Sequence, residues 1–377
     1  MKINKFKQTD YLLLLFVLFV SGAPYFNTSI LYIPLFIILL FFFIIRKREY
    51  DIQFIFLLFL LFLVTLIQYF VFDFFSFQTS LGAFLRVIIG YLIVKNLNNN
   101  FIQYYINSLY YLAIFSMLIY LPTLLTPSVI SLYKSFVPFF SFSNISDSDH
   151  LTIVLYNLNH LESFRNPGPF WEAGAFAGYL ILAYMFNIII NGTKKTNVVL
   201  LLAILTTFST TAYIAIFVFW FFRYLERTKK SVLKFFSVLA VLFIGYYSYN
   251  TFDFLGKKIE HQLSFIELDP NRENTNTQRF LNILRDVEDF KGHEFFGRGG
   301  NSITRYSFTL TDQIRTVGLT DILVRMGLIY FLFMFFMIYH SIKMLLNYFG
   351  RYDIIFLIGI FLTIIIILMS EEIGRAH

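Results

Sequence analysis

Phe164-Arg165-Asn166-Pro167-Gly168-Pro169-Phe170-Trp171-Glu172-Ala173-Gly174-Ala175-Phe176-Ala177 sets an arginine, a glutamate and a knot of turn residues where a polar segment runs into a hydrophobic one. A charge at such a boundary is costly unless it faces a cavity, a partner or a ligand, so Arg165 and Glu172 are candidate functional residues. The plainer alternative is an interfacial cap, with Arg165 on lipid headgroups and Trp171 in an aromatic belt. Which of the two holds depends on what surrounds the stretch, and what surrounds it is apolar.

Of the 377 residues, 58% are hydrophobic and 14% charged, with a mean hydropathy of +0.68. A soluble domain carries about 25% charged residues, so the composition specifies an integral membrane protein. Cysteine is absent, which excludes disulfides, thiolate nucleophiles and cysteine-held metals. The net charge of +7 does not mark a nucleic-acid binder. The basic residues lie beside apolar runs or in one long loop, with no basic helix or RNA-binding signature among them.

Apolar runs of near-membrane length recur at 11–26, 28–45, 52–72, 79–95, 101–121, 169–190, 232–249, 317–340 and 353–370. The first follows three lysines in the manner of a signal peptide, but Pro24 after Ser21-Gly22-Ala23 disfavours cleavage there, so it is taken as a retained span. Residues 197–223 are too short for two full spans, yet both flanks are basic and Ser209-Thr210-Thr211-Ala212 interrupts the middle. Two short half-helices meeting in a polar turn satisfy both facts; one long tilted span is the alternative. The expectation is therefore an all-α polytopic membrane protein, one integral domain over 1–377, with about eleven transmembrane helices including the half-helix pair.

Orientation follows from lysine and arginine. Residues 1–10, Arg46-Lys47-Arg48, Lys95, Lys194-Lys195, the run Arg223–Lys234, Lys343 and Arg351 hold sixteen basic residues, while the short loops 22–27 and 73–78 hold none. The basic set is assigned to the cytoplasm together with the N-terminus. Two long loops, 122–168 and 250–316, then face outward.

The second long loop is rich in candidate groups. An amphipathic helix is expected near 278–290, followed by Gly292-His293-Glu294-Phe295-Phe296-Gly297-Arg298-Gly299-Gly300-Asn301-Ser302. The Gly297–Gly300 run has the makings of a backbone nest for phosphate, with Arg298 adding charge, although it lacks the spacing of a P-loop. Arg305 and Arg315 make the loop more basic. Arg86 sits in the middle of a span, where it either faces the bundle interior or snorkels. None of the six histidines stands in a metal-binding spacing, and Asp147-Ser148-Asp149-His150 reads as a solvated run.

Taken in order, these pieces resemble bacterial O-antigen and capsular polysaccharide polymerases of the Wzy type. Arg165-Asn166-Pro167-Gly168-Pro169-Phe170-Trp171-Glu172-Ala173-Gly174-Ala175-Phe176 is similar to that family's "R-x-x-G-x-F-x-E-P-G-x-F" stretch, with Ala173 in place of proline. Leu205–Tyr213 resembles its "L-S-T-x-x-Y" half-helix turn. Thr277–Arg279 with His293–Gly300, Asn301 and Ser302 resembles "R…H-P-L-F-G-x-G-x-x-S", with Glu294 for proline, and Met326-Gly327-Leu328 matches a Gly-Leu in the next span. The related O-antigen ligases usually carry His-Asn where Val317 and Gly318 stand, and Ser-Arg where Thr210-Thr211 stand, so the resemblance favours polymerase over ligase.

The resemblance implies a metal-independent, inverting membrane glycosyltransferase without cofactor, working on the outer face of the bacterial inner membrane. Donor and acceptor would both be undecaprenyl-pyrophosphate-linked oligosaccharides, with a flippase and a chain-length regulator as protein partners. Arg165, Arg279, Arg298 and then Arg86 would hold the pyrophosphate, because a guanidinium fork binds phosphate bidentately and stays charged. Glu172, with His293 second, would serve as general base. A ligase, a lipid-linked glycan flippase or a non-catalytic scaffold are the competing functions.

Overall fold

Helix boundaries in the computed structural model fall within a few residues of the changes in hydropathy. It describes residues 7–24, 26, 29–126, 129–131, 135, 150–153, 155–159, 164–234, 237, 239, 279–301, 304 and 318–370. Its helices are α1 (Lys7–Gly22), α2 (Ser29–Ile45), α3 (Ile52–Phe72), α4 (Phe77–Leu97) and α5 (Phe101–Leu125), then α6 (Ala173–Ile189), α7 (Lys194–Thr206) and α8 (Thr210–Arg227), and finally α9 (Arg279–Phe290), α10 (Gly318–Tyr348) and α11 (Ile354–Ser370). Apart from the amphipathic α9, they occupy the apolar stretches of the sequence, because a backbone without water closes its hydrogen bonds most cheaply within one helix. Ile52–Phe72, Phe77–Leu125 and Gly318–Tyr348 are long and apolar enough to cross a membrane. The expected span at 232–249 lies almost wholly outside the described residues, as do Asp147–Asp149, Asn276–Gln278, Ser302, Arg305 and Arg315.

The helical expectation stands, with one addition and one correction. His150–Ile153 (β1) pairs antiparallel with Tyr156–Asn159 (β2), His150 opposite Asn159, forming a short hairpin inside the first long loop. The segment 197–223 does break at Thr207-Phe208-Ser209, where Phe208 takes a left-handed φ of 47°. Only the first half is short, however, since α7 has 13 residues and α8 has 18. Arg223, assigned above to a cytoplasmic loop, lies inside α8. It is buried there, paired with Glu226 one turn on, and set over the Phe356 ring at 4.6 Å, which lets the helix continue past the charge.

The chain divides into two compact units. The first comprises residues 1–59, 77–216 and 374–377. Within it α2 packs on α4, α5 packs on α6 and α7, and α1 packs on α4 and α5. Leu14, Leu35, Leu39, Leu92, Leu109, Phe176 and Leu180 are buried in it. One end of this unit is closed by polar groups. Arg46 pairs with Asp10 at 2.5 Å and donates to the Asn96 carbonyl at 2.8 Å, while the Asn96 amide donates to the Leu39 carbonyl at 2.9 Å. Residues from α1, the end of α2 and the end of α4 thus meet at one end, as the grouping of basic segments anticipates.

The second unit comprises residues 60–76 and 217–373. Here α10 packs on α9 and α11. Asp353 starts α11, its carboxylate accepting from the amides of Ile355 and Phe356 at 2.8 and 3.0 Å. The 31-residue α10 is interrupted at Gly327, whose φ of 73° and ψ of 175° no helix contains. That interruption organises the candidate residues of this unit.

Candidate functional site

In the first unit the site is built around the break between α7 and α8. The last carbonyls of a helix lack intrahelical partners, and away from water each must find a donor. Here the donors come from the turn that begins at Arg165. Asn166 N–H donates to the Thr206 carbonyl at 3.0 Å, and Arg165 Nε donates to the Thr207 carbonyl at 3.2 Å. The Asn166 side chain, fully buried, donates to Thr206 Oγ1 at 2.9 Å and Ser116 Oγ at 3.2 Å, and its Oδ1 accepts from Gly168 N–H at 3.1 Å. A cation at a helix C-terminus is also favoured by the helix dipole. Arg165 is half-buried, and Tyr213 on α8 is close enough to feel its charge.

The rest of the turn is held as firmly. Tyr120 on α5 donates to the Phe164 carbonyl at 2.5 Å. Asn157 of the hairpin, also fully buried, donates its N–H to the Gly168 carbonyl at 2.8 Å and its side-chain amide to the carbonyls of Phe170 and Trp171, both at 3.2 Å. Gly168 is left-handed at φ 55°, and a Cβ there would meet the Phe176 ring at 2.7 Å. Trp171 N–H donates to the Gly22 carbonyl at 3.1 Å, and a Cβ on Gly22 would fall 2.2 Å from the Phe170 ring. The small residue near the end of α1 therefore has a packing reason: it lets Phe170 lie against that helix.

Glu172 stands at the start of α6 in extended backbone, φ −143° and ψ 158°, without capping its own helix through the side chain. The N-terminal end of a helix favours a negative charge. Arg165 and Glu172 thus occupy the two ends of one immobilised turn. Arg86, on α4 of the same unit, is half-buried with its guanidinium 5.8 Å from the Tyr32 ring centre. A mid-span arginine against an aromatic face of a neighbouring helix is the interior-facing solution.

In the second unit the turn His293–Gly299 is laid into the break at Gly327. Arg298 N–H donates to the Val324 carbonyl at 2.8 Å and Gly299 N–H to the Arg325 carbonyl at 3.0 Å, carbonyls that the interrupted helix leaves without their usual partners. In return Leu328 N–H donates to the Glu294 carbonyl at 2.8 Å and Ile329 N–H to the Phe295 carbonyl at 3.4 Å. Gly297 N–H turns back to the His293 carbonyl at 2.9 Å. The amides of Gly297, Arg298 and Gly299 are therefore spent on protein carbonyls. This overturns the phosphate nest expected from the Gly297–Gly300 run. The glycines are there for close approach: a Cβ on Gly297 would lie 2.5 Å from the Val324 carbonyl oxygen, and one on Gly327 would lie 2.3 Å from that of Phe295.

His293 and Arg298 are brought together by this turn. Burial, and then the Arg298 charge, hold the imidazole pKa below its ordinary value, with Glu294 opposing, so His293 is a neutral proton acceptor near neutral pH. The Glu294 carboxylate is held below its usual range by the Gly292 N–H it accepts at 2.8 Å. Arg298 Nε donates to the Asp289 carbonyl at 2.5 Å near the end of α9. Arg279 is the first residue of α9, which covers nearly all of the amphipathic stretch expected near 278–290, and its side chain lies outside the described residues. Asp286, Asp289 and Asp321 are buried, with Asp286 accepting from Thr320 at 2.5 Å and Asp321 paired with Arg325 at 3.0 Å.

The sequence reading named Arg165, Glu172, His293 and Arg298 and placed Thr206 in the half-helix turn, but missed Asn157, Ser116, Tyr120 and Gln68, which hold the two turns. One signal was available. Ser116 and Gln68 are polar residues inside apolar helices, and such residues need a stated partner. Compared with known protein families, with characterised proteins and with solved structures, the chain finds no match.

Proposed function

We propose that this protein is a membrane glycosyltransferase that polymerises undecaprenyl-pyrophosphate-linked oligosaccharides into O-antigen or capsular polysaccharide on the outer face of the bacterial inner membrane. One observation carries the reading. Two of the motifs that resemble the polymerase family, Arg165–Phe176 and Leu205–Tyr213, are distant in sequence but form one hydrogen-bonded constellation at a helix break. An incidental match of short motifs gives no reason for them to interlock. In this reading α7 and α8 re-enter from the cytoplasmic side, and the long loops face outward, as the basic residues of the short loops demand.

The reaction is a single displacement. A hydroxyl of the incoming repeat attacks the anomeric carbon of the lipid-linked chain, a new glycosidic C–O bond forms, and the bond to the pyrophosphate breaks with inversion. The hydroxyl proton goes to Glu172 or to neutral His293. The departing pyrophosphate keeps the electron pair, and Arg165, Arg279, Arg298 and Arg86 are its candidate partners. Pyrophosphate is already a good leaving group, so the mechanism invokes no metal and turnover should survive a chelator.

The test is reconstitution: purified protein in phosphatidylglycerol-containing vesicles with lipid-linked repeat units, followed for a ladder of lengthened products. Glu172→Gln separates two roles. If Glu172 removes the proton, donor binding persists and turnover falls by about 10²–10⁴-fold. If it serves only the electrostatics of the α6 terminus, turnover stays near wild type. Absence of any ladder from wild-type protein with its native repeat unit would refute the reading.

A further inference from the structure

Gln68 lies in α3, in a stretch that reads Val64-Thr65-Leu66-Ile67-Gln68-Tyr69-Phe70 and offers no other reason for an amide. Its Nε2 donates to two carbonyls at once, Phe296 at 2.6 Å on the turn and Arg325 at 2.7 Å on α10. Both partners are acceptors only, so the amide nitrogen must face them. These carbonyls belong to the two strands of chain joined at the Gly327 break: Phe296 precedes Gly297, and Arg325 also accepts from Gly299. Gly299 lies so close to Gln68 that a Cβ on it would stand 3.1 Å from Oε1. One side chain from a third segment therefore rivets the turn to the interrupted helix. Phe72, one helical turn further along α3, adds its ring against His293 at 4.9 Å between centres.

We propose that Gln68 is a positioning residue, holding the turn that carries His293 and Arg298 in the break of α10. The role in transfer rests on the function proposed above; the clamp itself does not. Gln68 touches none of the reacting groups. Without it the Phe296 carbonyl loses this donor, the Arg325 carbonyl keeps Gly299 N–H, and the turn is held less firmly.

The chemistry supplies a discriminating pair of substitutions. Gln68→Met keeps length and apolarity and removes both donors. Gln68→Glu is isosteric; ionised, it turns a carboxylate on two carbonyls, whereas protonated it regains one O–H donor. Protonation in mild acid returns that donor, so Gln68→Glu recovers there and Gln68→Met does not. The charged groups around it are His293, Glu294 and Arg298 on the turn and Asp321 and Arg325 on α10. They are common to all the variants, so their own titration cancels when variants are compared at one pH.

Hydrogen exchange of the amides at 297–299 and 328–329 reads the clamp without reference to activity, and the product ladder reads positioning. At neutral pH both variants should exchange these amides at least about tenfold faster than wild type, the consequence of losing two hydrogen bonds. Gln68→Glu alone should regain protection as the pH falls toward about 5. Polymer yield should follow protection in each variant. Unchanged exchange in Gln68→Met overturns the clamp. Faster exchange with an undiminished ladder overturns the positioning role and leaves the transferase reading intact. A wild type without any ladder removes the transferase reading and the positioning role together, while exchange still decides the clamp.

Discussion

The two helix breaks solve one problem by opposite means. Between α7 and α8 the orphaned carbonyls of Thr206 and Thr207 are met by the backbone of Asn166 and the guanidinium of Arg165, with the Asn166 side chain locking the turn to Ser116 and Thr206. At Gly327 the orphaned groups are met by backbone, and the Gln68 side chain bridges the junction. The first solution demands particular side chains, the second demands the absence of side chains. A break closed by side chains leaves a charged group at the junction. A break closed by backbone needs glycine on both faces, and its charged residues sit beside the junction.

One added carbon at the second junction should have the largest effect. Gly327→Ala forces a left-handed L-residue and a Cβ 2.3 Å from the Phe295 carbonyl oxygen. The expected loss is about 2–5 kcal/mol, from the backbone conformation and the overpacking together. Thermal unfolding in detergent measures it. Gly292→Ala, also left-handed but with nothing within 4 Å of the added carbon, should lose only the conformational part. Equal losses in the two would show that close backbone approach is not what Gly327 provides.

The first junction should fail through polar loss. Asn166→Ala strands the Gly168 N–H and removes two side-chain donations in a fully buried site, and should lower stability by about 2–4 kcal/mol. A melting temperature within a degree of wild type would mean that Asn166 does not hold the turn.

Arg165→Lys is expected to cost less stability, about 1 kcal/mol, because an ammonium still complements the helix terminus. Under the proposed reaction it should nonetheless make little or no polymer, since the planar fork that meets the Thr207 carbonyl, and in that proposal a phosphate, is gone. Polymer of normal length from Arg165→Lys cells would take bidentate recognition out of the proposal.

The smallest effect concerns His293. Its folded pKa lies below the unfolded value, so the contribution to stability is complete above about pH 6.5 and declines as pH falls through the folded pKa. The group is only half-buried, and after solvent screening the effect stays under about 1 kcal/mol. His293→Asn should flatten the acid limb of a stability-versus-pH curve, and an unchanged slope would deny His293 this titration.

What was legible from composition and order alone was whatever depends on near neighbours. Helix positions came from runs of hydropathy, and α3 coincides with its expected span. The break at Ser209 showed itself as polar residues between basic flanks, and α9 as an amphipathic stretch. The β1–β2 hairpin, the length of α8 and the use of the glycine run were not legible, because each turns on a partner elsewhere in the chain. Asn157 reads as a loop residue until Gly168, Phe170 and Trp171 are beside it, and Gln68 as an oddity until Phe296 and Arg325 are.

Consecutive residues were enough to specify a membrane-type helical protein with one interrupted segment, at 197–223, because hydropathy and helix length are local properties. The break at Gly327, and the way each interruption is closed, came from tertiary packing. A peptide group without water must take whatever donor or acceptor comes within about 3 Å, and which one arrives is set by packing between segments as far apart in sequence as Gln68 and Arg325.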